Sequence, residues 1–283
     1  MASNGPGPAL LHYVQEELDA ATDALDAFGG ALHAGVHRAR KAMRRTRATL
    51  ALAGPTLGPG ARLIDRAMRR TNRSLSILRD AQALVDTLDR LREKQQDHHA
   101  VHHTLEQARE RANDRRNALA QDRACLDQVL EARAVLTTLR AAMSGLPWHS
   151  LTKDVLDAGL AHTTCRIVKC TARVADTGSE KDWHAWRRRL RRLSQQYRAR
   201  TAAGLAGDLS AFDKSLADKM GHLQDLQVLL DYCGEDSPFD EDDREALEAF
   251  AQDQLYKQRR RLLSVATATH STTPPGPPRP VRT

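Results

Sequence analysis

A nine-residue pattern occurs twice in this chain, 147 residues apart, and no other feature limits its possible folds so tightly. HRARKAMRR, from His37 to Arg45, is matched by HAWRRRLRR, from His184 to Arg192, and in each a histidine is followed by cations at +3, +4, +7 and +8. A second pair lies at an offset of 145: LRDAQALVD, Leu78 to Asp86, against LQDLQVLLD, Leu223 to Asp231. Arg115-Arg116 and Arg260-Arg261 keep that offset. Matches in one order at nearly one spacing indicate two related units in tandem.

The motifs have the period of a helix. Val36, Ala39, Met43, Thr46 and Leu50 recur at 3-and-4 spacing and predict a buried stripe, which leaves His37, Arg40, Lys41, Arg44 and Arg47 on another face. The second copy divides alike, with Trp186, Leu190, Leu193 and Tyr197 inward and His184, Arg187, Arg188, Arg191 and Arg198 together. Aromatic residues make up only 4% of the chain, and Ala, Leu, Arg, Asp and Gln dominate, which suits long helices rather than sheets.

Breakers divide the rest. Gly29-Gly30, Gly54-Pro55 with Gly58-Pro59-Gly60, Gly145 with Pro147, Gly178-Ser179, Gly204 to Gly207 and Gly234 to Pro238 mark turns. They predict helices near 8–28, 32–53, 60–92, 96–143, 148–176, 181–203, 208–232 and 240–266, the long fourth with room for a break. The expected fold class is all-α, two pseudo-twofold-related four-helix bundles forming one compact helical domain. A first repeat would span 10–144 and a second 145–266, between a disordered N-terminus (1–9) and a Pro-rich disordered tail (267–283).

A net charge of +7 with a pI near 9.5 favours anionic partners. Six cations fall between Arg38 and Arg47, and from Leu32 through Ile64 no acidic residue answers them. Like charges at i,i+4 destabilise a helix by about 0.2–0.5 kcal/mol per pair, so two such stripes point to an external anion. Arginine outnumbers lysine in them, and its planar fork holds phosphate oxygens in pairs. A third stripe, Arg62, Arg66, Arg69, Arg70 and Arg73, runs along the third segment, with Lys214 its clearest counterpart in the second half. Two basic helices facing each other make a long positive trough, for which a linear phosphate polymer is the natural ligand. Duplex nucleic acid is the alternative polyanion, whereas the scarcity of aromatics argues against a single-strand groove.

His37 and His184 stand one turn before the first strong cations and should resist protonation until a bound anion reverses the local field. Ligand contact and a structural hydrogen bond are both open to them. Asp80 and Asp225 interrupt apolar runs at equivalent places and read as partners that orient guanidinium groups.

Other chemistry is weakly signalled. Cys125, Cys165, Cys170 and Cys233 lack C-x-x-C spacing and read as reduced thiols. HHAVHH, with His98, His99, His102 and His103, offers i,i+4 pairs, but no nearby Cys or clear carboxylate completes a metal site. No phosphate-cradling Gly-rich loop, paired-carboxylate motif or nucleophile constellation occurs, so no catalytic residue, metal or cofactor is expected. With no secretory signal pattern and no run of about 18 apolar residues, a soluble cytoplasmic protein without a membrane partner is expected.

At His37-x-x-Arg40-x-x-x-Arg44-Arg45-x-Arg47, Leu78-Arg79-Asp80, His184-x-x-Arg187-Arg188-x-x-Arg191 and Leu223-Gln224-Asp225 the sequence resembles the CHAD domain, the conserved histidine α-helical domain, from about Leu10 to Ala266. The resemblance implies two four-helix bundles about a pseudo-twofold axis, and a basic central groove that binds inorganic polyphosphate. It also implies a non-catalytic role that includes targeting to polyphosphate granules, and with it granule-associated proteins as partners. Carried over by motif, the contacts would be His37, Arg40, Arg44, Arg45, Arg47, His184, Arg187, Arg188 and Arg191. The helical reading adds Lys41 and Arg192, Arg66, Arg69, Arg70, Arg73 and Lys214 of the third stripe and its counterpart, and Arg116, Lys257, Arg260 and Arg261 of the closing helices. The E-x-E-x-K strand signature of the CYTH triphosphatase domain that adjoins many relatives is missing, so phosphohydrolase activity is not expected.

Overall fold

The structure, a computed structural model, describes residues 5–94, 99–205, 214–234 and 237–270. Within them the chain forms ten α-helices and no strand: α1 (Pro6–Ala24), α2 (Leu32–Ala53), α3 (Gly58–Ser74), α4 (Ser76–Lys94), α5 (His99–Leu119), α6 (Arg123–Met143), α7 (Lys153–Thr177), α8 (Glu180–Ala202), α9 (Lys214–Tyr232) and α10 (Glu241–His270). The all-α class read from the sequence is the class observed.

The third and fourth sequence segments each resolve into two helices. The Ser74 hydroxyl donates to the Thr71 carbonyl at 2.9 Å, taking an acceptor from the last turn of α3, and Leu75 turns wholly into the core. Farther on, the Asp122 carboxylate accepts from the Cys125 N–H at 2.9 Å and caps a new helix, α6. Across the first of these breaks the buried stripe continues at 3-and-4 spacing, from Ala61, Ile64, Met68 and Thr71 through Leu75 to Leu78, so periodicity alone does not mark it.

At the N-terminus, α1 begins at Pro6, inside the span expected to be disordered. Proline suits the first helical turn, where its missing N–H has no carbonyl to meet. Gly7 then packs so closely on the Trp148 carbonyl that an added Cβ would lie 1.9 Å from that oxygen. Residues 271–283 of the Pro-rich tail lie outside the described residues.

Helix α1 packs on α2, and α7 on α8; α4 packs on α5, and α9 on α10. Across the molecule α2 meets α8, α4 meets α9 and α5 meets α10, while α6 covers α1 and α3. The apolar core forms two clusters. One gathers Leu10, Val14 and Leu18 of α1, Val36 and Met43 of α2, Met68 of α3, Leu136 and Met143 of α6, Leu156 of α7 and Ala199 of α8. The other gathers Leu84 and Leu88 of α4, Leu105 of α5, Val174 of α7, Trp186 of α8, Leu229 of α9 and Leu247 and Leu255 of α10. Both therefore take helices from before and after residue 145, so that α8, running from one cluster to the other, binds the halves together.

The crossing of α7 over α2 depends on Gly159, where an added Cβ would sit 2.0 Å from the Leu52 carbonyl oxygen. Overpacking of this kind costs about 1–3 kcal/mol. Gly159→Ala is expected to lower the free energy of unfolding by that amount, seen as a lower urea midpoint at an unchanged slope; an unchanged midpoint would mean that α7 is free to lift from α2.

Candidate functional site

The buried stripes read from the two motifs are the ones that pack. Val36, Ala39, Met43 and Thr46 are wholly buried on α2, as are Trp186, Leu190, Leu193 and Tyr197 on α8 to within a few per cent. Because α2 and α8 pack together, the cationic face of each is brought against the other. Between them lies a hollow of about 580 Å³ lined by Arg44, Arg47, Arg69, Arg73, Arg188, Arg189, Arg191 and Arg192, with Asn72 and Gln195 and no carboxylate. A second hollow, about 540 Å³, is lined by His37, Arg79, Asp86, Arg90, His222 and Asp225. Arg79 joins the two electrostatically: its charge acts on His37, Arg40, Arg44, Arg187 and Arg191.

The energetic character of this groove is crowding of like charge on half-buried side chains. Burial, then Arg191, pushes the Arg44 guanidinium down to about 9. Burial and Arg191 do the same to Arg187, also to about 9, and burial and Arg79 bring Arg40 to about 10, with Asp80 opposing. Burial lowers Arg191 and Arg192 as well, helped by Arg79 and Arg189 respectively. All of these groups stay cationic at neutral pH, so the fold holds their mutual repulsion. His37 is pushed down by burial and Arg44, with Asp86 opposing; His184 by burial, Arg187 and Arg188.

Partners divide the sequence-derived residues into groups. Arg44, Arg73, Arg188, Arg191 and Arg192 line the first hollow and form no ion pair among the described residues. Arg47 and Arg69 also line it while sharing Asp65, at 2.7 and 3.3 Å. Arg40 donates to the Asn72 carbonyl, and Arg187 donates to Gln224 Oε1 at 2.7 Å. His37 lines the second hollow, and His184 a much smaller one with Arg187 and Gln224. Arg45 is not brought into the groove: its Nη1 donates to both carboxylate oxygens of Glu17 on α1, at 2.9 and 3.0 Å. Nor do Lys41, Arg66, Arg70, Arg116, Lys257, Arg260 or Arg261 line either hollow. Arg116 donates to Gln82 and Asn117, Lys257 to Asp253, and Arg260 stacks over Tyr256. The side chain of Lys214 lies outside the described residues.

Two contributors escaped the motif reading. Arg79 stands in the repeated LRD segment, opposite Gln224 of the second copy; the Gln224 bond to Arg187 shows that the residue before each Asp faces a His-cation helix. Arg189 lines the hollow although its copy in the first motif is uncharged Ala42. Asp80 and Asp225 do hold guanidinium groups: Asp80 accepts from Arg79, and Asp225 from Arg90 Nε at 3.0 Å, its carboxyl pushed up by burial despite that partner.

Among the described residues no group of three or more His, Cys, Asp or Glu could hold a metal ion, and no helix is long and apolar enough to cross a membrane. His98 and the His99 side chain of the HHAVHH cluster lie outside those residues. All four cysteines are free.

Fold and groove define an all-helical domain whose charge centre is a packed pair of arginine-rich helices. The model of the CHAD domain family matches residues 12–234, and the chain belongs to that family. No curated protein sequence matches it. The crystal structure of the CHAD domain from the plant Ricinus communis is similar, with a TM-score of 0.66 and 18% sequence identity over 96% of this chain and 94% of that one, which shows the shared fold.

Proposed function

We propose that this protein binds inorganic polyphosphate in the groove between α2 and α8, without turning it over, and that this binding targets it to polyphosphate granules in the cytoplasm. The observation that carries the reading is the set of half-buried guanidinium groups, Arg44, Arg187 and Arg191 around Arg79, whose mutual repulsion an external polyanion would relieve. The two hollows, similar in size and coupled electrostatically through Arg79, suit a chain that repeats its charge along its length. The resemblance of the motifs supports the same ligand. A pseudo-twofold relation between the halves is supported by the helix pairs: α2 with α8, α4 with α9 and α5 with α10 are equivalent elements in contact, and α1 with α8 is mirrored by α2 with α7. In this scheme α6 has no counterpart among the described residues of the second half.

The deciding experiment is binding of long-chain polyphosphate at physiological salt, with duplex DNA, RNA and heparin as competitors. Efficient displacement by polyphosphate alone supports the groove. Equal displacement by every polyanion at equal phosphate would reduce it to a general electrostatic surface, since any polyanion shows counterion release, and the nucleic-acid reading would move ahead.

Affinity should also depend on pH. Both His37 and His184 release their proton more readily in the free protein than an exposed imidazole does, so they are neutral at about pH 7.5. A bound phosphate chain favours the imidazolium, so binding takes up protons. Affinity is expected to rise as pH falls from about 7.5 toward 6 and to level off once the free-state histidines are themselves protonated, by about three- to tenfold in total. The double variant His37→Gln/His184→Gln should flatten this profile in calorimetric titrations; an unaltered profile would assign the proton to other groups.

A further inference from the structure

Six large apolar side chains stand exposed among the described residues, and four of them belong to the first half: Phe28 in the turn after α1, Leu130 on α6, Leu63 on α3 and Ile77 at the start of α4. Phe28 is the most open, at 83% exposed. Single exposed apolar residues need no explanation, whereas a group of them marks an interaction surface. Helix α6 makes these a group, because it packs on both α1 and α3. Its pairings with α1, Gln15 to Ser144, Asp19 to Arg140 and Asp26 to Arg133, set an antiparallel register in which equal steps along the two helices keep pace. Continued past Asp26, that register brings the Phe28 turn level with Leu130 and Glu131.

The two sides of this face differ in charge. On α6 the exposed Leu130, Ala134, Thr137 and Ala141 follow one another at 3-and-4 spacing, with the exposed Asp127 and Glu131 beside Leu130. On α3 the exposed Leu63, Arg66 and Arg70 do the same, and Ile77 continues their line beyond Leu75. The ion pairs of these turns take Arg133 to Asp26 and Arg69 to Asp65, and among the described residues Asp127, Glu131, Arg66 and Arg70 form none. Arg66 and Arg70 line neither hollow of the groove. A polyanion would meet these two arginines but gain nothing from Leu63 and Ile77, and Asp127 and Glu131 would repel it. The surface that offers both an acidic apolar strip and a basic apolar strip is the same face of a second molecule.

We propose that the α6–α3 face is a homodimer interface, in which α6 of one molecule lies on α3 of the other. A twofold axis between the strips makes every contact twice and closes the assembly. The apolar side chains meet at its centre, while Asp127 and Glu131 face Arg66 and Arg70 of the second copy. Helix α6, which has no counterpart among the described residues of the second half, thus has a partner on each side. The dimer does not rest on the polyphosphate reading. One consequence does: two grooves on one particle can engage a single long polymer, and the second engagement gains from effective concentration.

The test is sedimentation velocity of the whole protein, free of ligand, across the micromolar range at low and high salt. A monomer–dimer equilibrium that salt weakens is expected. Asp127→Arg/Glu131→Arg and Arg66→Glu/Arg70→Glu should each raise the dissociation constant by about a hundredfold or more, because like charges set against each other cost several kcal/mol. Mixed in equal amounts, the two variants should dimerise again, since each reversed strip then meets its reversed opposite. A wild type that stays monomeric, single variants that still dimerise, or a mixture that stays monomeric each overturn the proposal. Association that appears only after polyphosphate is added overturns it as well. Should a reversed pair fail to fold, Phe28→Ser lies outside the helices and decides: the dissociation constant is expected to rise about tenfold through lost apolar burial, and an unchanged constant removes Phe28 and this face from the interface. Failure of polyphosphate to bind in the competition experiment would sink the functional reading and leave the sedimentation result standing.

Discussion

Replacing Arg44 and Arg191 together by glutamate is expected to weaken polyphosphate binding by about a thousandfold while the far-ultraviolet circular dichroism stays that of the wild type. Both guanidinium groups line the carboxylate-free hollow and neither is held by an ion pair among the described residues, so both are available to a ligand. A hydrogen bond to a charged group contributes about 1.5–3 kcal/mol. Two such losses amount to about 3–6 kcal/mol, and each factor of ten in affinity is about 1.4 kcal/mol. Helix α2 tolerates the change because Arg40 and Arg79, which now repel Arg44, would attract the introduced carboxylate. The milder pair Arg44→Gln/Arg191→Gln should lose affinity and yet raise the melting temperature of the free protein, since it removes repulsion the fold now carries. Retained affinity in the glutamate double variant, measured by isothermal calorimetry, would place the ligand elsewhere.

Arg45→Ala, one residue along, is expected to behave in the opposite way. Arg45 and Glu17 are 19% and 10% exposed, and the variant leaves Glu17 between α1 and α2 without its cation. Removing one partner of a buried pair costs about 3–5 kcal/mol; solvent access at this pair reduces the expectation to about 2–3 kcal/mol. In a chain of this size about 2–4 °C of melting temperature is lost per kcal/mol, so a fall of about 5 °C or more should be seen by calorimetry. Polyphosphate affinity should change by less than about twofold. A large affinity loss at unchanged stability would return Arg45 to the groove.

The contrast between these neighbours shows where motif reading stops. Positions +7 and +8 after the motif histidine are both cationic in both copies, and the pattern treats them alike. On a helix they are turned from each other by about 100°, so a helix packed against one side separates them. Glu17 of α1 claims Arg45, whereas Arg44 is left to the contact with α8. In the second copy Arg192 forms no ion pair among the described residues and lines the hollow with Arg191. The same limit applies to Arg66 and Arg70, which share a basic stripe with Arg69 and Arg73 but line neither hollow.

By itself the sequence determined the helical class, the buried stripes of the two motifs and the concentration of cations on the faces beside them, because these depend on local period and on the charge along one element. Only the tertiary structure decided which cations meet. The place of Arg79 in the second hollow and of Arg189 in the first, the pairing of Arg47 with Asp65, the removal of Arg45 to Glu17 and the bridge of His33 between the Leu78 and Arg116 carbonyls all depend on contacts between helices distant in sequence. A helical period specifies an angle about its own axis, and the neighbour standing at that angle is set by how α1, α3, α4 and α8 pack on α2.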